Sequence, residues 1–143
     1  MAVTRAQINW TGVGFTPTTG SAVPITRVTA GMFGLGGHLI KFKGDTDQYP
    51  TIIACPDQEP HCSFTTADVG TMMGFQPGTT GAIAAQLNDA KAQTGGAVLF
   101  AMVNAVFESA DGSGSHAQFA TTTGTWQAFS SDGVTNPLSF TRV

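Results

Sequence analysis

The residues best equipped for chemistry lie in one stretch, Cys55-Pro-Asp-Gln-Glu-Pro-His61-Cys62, which offers two thiols, an imidazole and two carboxylates. Thiols with imidazole are the ligand set of structural zinc, which takes a close Cys-x(2–4)-Cys knuckle and normally a second pair of ligands elsewhere. Here six residues separate the two cysteines, no second pair exists, and the other imidazoles, His38 and His116, lie far off in the chain. Cys55, His61 and Cys62 are therefore weak metal candidates. The stretch reads as a loop between a strand and a short helix, its thiols free or bridged. Nucleophilic catalysis has less support. Ser115 and His116 are sequence neighbours, which a strand points to opposite faces, and Gly112-Ser113-Gly114 lacks the spacing of a nucleophile elbow. Gly31-Met-Phe-Gly34-Leu-Gly-Gly37 is followed by a strand-like His38-Leu-Ile-Lys41 rather than the helix a phosphate loop needs, so it reads as a flexible turn. Asp45-Thr-Asp47 reads as an Asx turn before Tyr49-Pro50 rather than a cation site. Asn9-Trp-Thr11 matches a glycosylation acceptor but carries little weight without an export signal. These residues assign no catalytic group and no cofactor, and the chain is not expected to be an enzyme.

Composition points away from several further classes. Six basic and nine acidic side chains among 143 residues make 10% charged and a net charge of −3, against about 25% charged in an average soluble protein. Ten Phe and two Trp argue against disorder, and the lack of a basic surplus argues against specific nucleic-acid binding. The longest apolar run, residues 97–107, is broken by Asn104 and is too short to span a bilayer. The first ten residues have neither the apolar core nor the basic start of a signal peptide. The length suits a single β-rich domain over residues 1–143. A surface this poor in charge favours association.

The elements that would position any site are mostly strands, because two-residue alternation between Gly, Asn and Asp turns dominates. Thr4, Ala6, Ile8 and Trp10 alternate, as do Ile40 with Phe42 and Ile83 with Ala85 and Leu87. Short strands are expected at 38–43 and 51–55, and another over 81–89. Residues 97–108 read as a central strand covered on both faces. A turn follows at Asp111–Ser115, then a Thr-rich strand over 116–129, a turn at Ser131-Asp-Gly133, and a last strand ending at Phe140. Thr65-Thr-Ala-Asp68 resembles a capping box, and Val69, Met72 and Met73 share a helical face, predicting one short flanking helix at about 66–75. The Gly- and Thr-rich residues 11–37 read as loops, a long hairpin, or an extended arm that orders against neighbouring subunits. The expected fold is thus mainly β, an antiparallel β-sandwich or small barrel with that helix.

The second half carries a family likeness. Pro77-Gly-Thr-Thr-Gly-Ala-Ile-Ala, Leu87-Asn-Asp, Asn104-Ala-Val-Phe-Glu-Ser, Phe119-Ala-Thr-Thr-Thr-Gly-Thr-Trp and Ser131-Asp-Gly-Val-Thr-Asn-Pro-Leu run in that order. Over residues 64–143 the chain resembles the sheet core of tailed-phage tail-tube and related virion proteins. That resemblance implies a structural protein that assembles with itself into rings or a helical tube, in the virion, built in the host cytoplasm beside other virion proteins. Uncovered strand edges, a hazard in a monomer, would serve as the assembly surface. A capsid-decorating or head–tail joining protein has the same composition. A small carbohydrate-binding β-sandwich would instead expose Trp10, Tyr49 or Trp126 for stacking.

Overall fold

The computed structural model describes residues 9–88 and 97–142. Among these residues eight strands and one helix follow in order: β1 Asn9–Pro17, β2 Val23–Pro24, β3 Val28–Phe42, β4 Ile52–Thr66, α1 Val69–Met73, β5 Thr80–Asn88, β6 Ala97–Ser113, β7 Thr121–Ala128 and β8 Leu138–Arg142. All pairings are antiparallel and form one sheet in the order β2-β1-β5-β6-β7-β4-β3, with β8 beside β6. The long β6 organises it. One edge pairs with β5; the other pairs with β8 over Val98–Met102 and with β7 from Ala105 onward. The sheet is open, and it rolls so that the Trp10 ring of β1 meets Phe33 of β3 at 5.9 Å and Phe64 of β4 at 5.3 Å. The mainly β, antiparallel reading with one short helix is the observed fold.

Alternation decides which side chains fill the roll. In β7, Thr122, Gly124, Trp126 and Ala128 are buried while Thr121, Thr123, Thr125 and Gln127 are half-buried on the other face, as the two-residue period of a strand requires. Trp126 is fully buried and packs against Phe15, Phe64, Phe75 and Phe107 at centroid distances of 5.7, 6.4, 6.2 and 5.2 Å. Tilted and edge-on pairs of this kind add about 0.5–1.5 kcal/mol beyond their area burial. Helix α1 closes one end of the roll with fully buried Met72.

Several expectations are corrected. The helix spans Val69–Met73, and the Thr65–Asp68 capping box does not form: Asp68 is the N-cap, without a side-chain cap bond. Its carboxylate instead accepts from Thr71 Oγ1 at 2.8 Å and Thr26 Oγ1 at 3.0 Å, tying the helix to the turn before β3. Residues 55–62 are not a loop but the middle of β4, and the glycine run 31–37 is not a turn but the middle of β3. The glycines are strand residues because β4 side chains lie over them. A Cβ on Gly31 would come within 2.6 Å of the Phe64 ring, and one on Gly34 within 2.8 Å of His61. β6 runs on to Ser113, moving the expected turn to residues 114–120. Its outward face is not covered either, since Leu99 and Val103 are exposed. The expected strand over 4–10 lies mostly outside the described residues.

The glycine packing gives a direct test. Gly31→Ala forces Phe64 and Trp10 aside and is expected to destabilise by about 1–3 kcal/mol. Gly36→Ala meets only ordinary contacts, at 3.6 Å and beyond, and should stay close to wild type. Urea titration of both variants measures the difference.

Candidate assembly surface

The chemistry-bearing residues are spread out by the strands that carry them. Six residues of β4 separate Cys55 from Cys62, roughly 23 Å of extended chain at about 3.3 Å per residue. Both are free: Cys55 is exposed, Cys62 buried, and burial pushes the Cys62 thiol well above its ordinary pKa. His61 lies over Gly34 and donates from Nδ1 to the Glu59 carbonyl oxygen at 3.1 Å. His38 sits opposite Asp57 in the β3–β4 ladder, while His116 lies beyond the far end of β6 in the 114–120 turn. Among the described residues no three of His, Cys, Asp and Glu come close enough to hold a metal ion. The three aromatic candidates are not gathered into a platform: Trp126 is buried in the core, Trp10 packs on Phe33 and Phe64, and Tyr49 is exposed near the β3–β4 tip.

Two small pockets lie among the described residues. One of about 200 Å³ lies between Gln58 and Pro60 of β4 and the 130–137 loop, and one of about 230 Å³ lies beside Phe119. Both fall below the roughly 300–1,000 Å³ of small-molecule sites. The first is bordered by a loop held by Asp132. Its carboxylate accepts from Thr135 Oγ1 at 2.6 Å, from Ser130 Oγ at 2.7 Å and from the Val134 and Thr135 amides, both at 2.8 Å. These bonds favour the ionised form and hold its pKa well below the usual carboxylate range, the Thr135 hydroxyl foremost.

The β3–β4 ribbon presents an unusual surface. β4 pairs with β7 only over His61–Thr66, so Ile52–Pro60 are paired with β3 alone and extend past the sheet. Leu35, Leu39, Ile40, Phe42, Ile52 and Ile53 are each more than half exposed. Phe42 faces Ile52 and Ile40 faces Ala54, while Lys41 and Ile53 take the opposite face. Both faces are therefore apolar, and a two-stranded ribbon cannot cover either by itself. Among the described residues β3 ends the sheet path and no strand pairs with its outer edge along 15 residues, with no charged side chain from Val28 to Ile40. Natural edge strands are usually shortened, charged or covered; this one is long, carries no charge over that span, and is covered by no strand among the described residues. Residues 11–37, expected as loops, a long hairpin or an adaptable arm, hold most of β1, with Val13 and Phe15 in the core, then β2 and the first part of β3. The projecting hairpin begins with β3. The signal lay in Leu39–Phe42 and Ile52-Ile53, apolar runs flanking a polar turn.

The fold is shared with proteins of tail-like particles. No family model matches the chain, and no curated protein matches it. Among solved structures, it is similar to a chain in the tail of an empty GTA particle, described with helical refinement and C6 symmetry. The TM-score is 0.52 at 15% identity, covering 90% of this chain and 93% of that one. It is also similar to a chain in the cap of an anti-feeding prophage, a tube-terminating cap, with a TM-score of 0.54 at 12% identity over 100% of this chain and 95% of that one. The tail-related resemblance read from residues 64–143 thus extends, as a fold, over nearly the whole chain.

Two outcomes are expected of this surface. In the native protein Cys55 should react with a maleimide and Cys62 only after denaturant is added; equal reactivity of both would contradict the burial of Cys62. The Asp132 loop has a defined pH response. A carboxylate with a lowered folded-state pKa stabilises above its unfolded value and loses that contribution as pH falls through the folded one. The Val134 and Thr135 amides should therefore remain protected on acidification through the usual carboxylate range, and Asp132→Ala should expose both at neutral pH, as amide exchange would record.

Proposed function

We propose that this chain is a structural subunit of a phage-like tail that assembles with itself into rings or a tube and catalyses no reaction. The observation that carries the reading is the β3–β4 ribbon, apolar on both faces and, among the described residues, unpaired along its outer edge. Another copy of the chain would bury this apolar area, at about 25 cal/mol per Å², and would pair the edge hydrogen bonds. Copies of one chain joined by unlike patches close into rings or propagate as a helix. The partners are then other copies, with other virion proteins at the ends of the assembly, and the place of the protein is the particle, built in the host cytoplasm. The similarity to chains of a tail and of a tube-terminating cap supports this reading. The cap also favours a second one, in which the chain forms one terminal ring rather than a stacked tube.

Electron microscopy of the purified protein across a concentration series separates these: stacked tubes for a tube subunit, single rings for a terminator, and monomers at every concentration against both. Replacing Leu39 and Ile53 by Glu should leave the fold intact, because both side chains are exposed. It should abolish assembly, read by light scattering alongside an unchanged urea midpoint. Unchanged assembly in that variant would remove the ribbon from the interface.

A further inference from the structure

Between β2 and β3 the chain changes partners. β2 pairs with β1 at Phe15↔Val23 and Gly14↔Pro24, and the Ile25 amide still donates to the Val13 carbonyl oxygen at 2.8 Å. From Val28 onward the same run of chain pairs with β4 instead. β1 and β4 run in the same sense, being linked through β5, β6 and β7 by antiparallel pairs, and β2 and β3 both run opposite to them. One strand has the right polarity to pair with β1 and β4 together and so close the roll. Continued in the β1–β2 register, it would set Val28 opposite Trp10. The Trp10 indole already reaches β3, its Nε1 lying 2.8 Å from where a Cβ on Gly31 would stand. Yet among the described residues β1 and β3 do not pair.

A clasp of hydrogen bonds sits at the point of change. Thr66, fully buried at the end of β4, shares its hydroxyl proton between the Thr26 carbonyl oxygen and, at 3.3 Å, that of Arg27. The Arg27 carbonyl oxygen also accepts from the Ala67 amide at 3.1 Å. The Asp68 carboxylate accepts from the Thr26 hydroxyl at 3.0 Å and from the Thr71 hydroxyl at 2.8 Å. Successive carbonyls of a strand point to opposite neighbours. Here two in succession turn toward β4 and α1, which leaves β1 without an acceptor. That turn sets Arg27 at φ 55, a left-handed conformation costly for any residue with a Cβ and kept only where the surroundings impose it.

We infer that this clasp is a strap that holds the seam between β1 and β3 open, and that its release lets β3 zip onto β1. Its bearing on assembly rests on the function proposed above. A closed seam would use up the root of the β3 edge within the subunit, so the strap keeps that edge for a second copy of the chain.

The test uses the full chain carrying Asp68→Ala and, separately, Thr26→Val, which removes one bond of the clasp and leaves Asp68 on Thr71. Amide exchange of residues 9–12 and 28–31 is followed in dilute subunits, with urea midpoints and the light scattering of concentrated samples alongside. In the unsubstituted chain the amides that face the seam should exchange fast. In Asp68→Ala they should slow on the order of tenfold or more, and in Thr26→Val by a smaller factor, with scattering appearing only at higher concentration. Exchange that is unchanged or faster in the variants overturns the strap; should Asp68→Ala unfold, Thr26→Val decides. Slowed exchange with unchanged scattering would overturn the link to assembly. An unsubstituted chain that assembles at no concentration would overturn the proposed function, and the exchange comparison would still decide the strap.

Discussion

The aromatic cluster around Trp126 is the constraint on which the rest of the structure depends. Its rings come from β1, β4, β6, β7 and the segment after α1, elements that no flat sheet could bring to one point. The sheet must roll until β1 lies opposite β4, and the turns, bulges and glycines follow from that. Bulges between Thr11 and Gly14 in β1 and between Phe107 and Ser109 in β6 sharpen the local twist. Gly124 leaves room for Met72, and Gly31 for Phe64 and Trp10.

A roll of this kind satisfies the interior and leaves the exterior divided. Where β6 is flanked by β5 and β8, its outward side chains include exposed Leu99 and Val103; where it is flanked by β7, they are Ser109 and Asp111 beside Thr123 and Thr125. The β3–β4 ribbon continues past the body with apolar residues on both faces. Only 10% of the residues are charged, so hydration of this exterior rests on hydroxyls, amides and backbone. Apolar ribbon and hydroxyl face are complementary parts of one design: one surface gains by leaving water, and the other by staying in it.

Much of the body was legible in the sequence. The alternation of Ile83, Ala85 and Leu87, and the Thr-rich run closing on Trp126, encode one buried and one outward face, and β5 and β7 appear where those patterns place them. Val69, Met72 and Met73 located the helix to within two or three residues at each end. The ribbon was obscured because glycine carries two meanings. Gly31, Gly34, Gly36 and Gly37 suggested a turn by type, yet three of them are spaces beneath Phe64, His61 and Cys55 of the neighbouring strand, and nothing within residues 30–37 announces a ring arriving from thirty residues away. The Cys55–Cys62 stretch misled in the same manner. Its two prolines and three acidic or amide side chains look like a loop, and pairing with β3 overrides that preference.

The sequence alone determined the class of fold, the helix, the chemistry of the strand faces and the shortage of charge, because each depends on residue type at a spacing of a few positions. The tertiary structure alone decided that β3 and β4 form one projecting ribbon. It also decided that Cys62 is buried while Cys55 is exposed, and that Thr65, Thr123 and Asp111 share a row. Those are matters of cross-strand register between segments some sixty residues apart, and register is set by the sum of every pair in a ladder rather than by any local pattern.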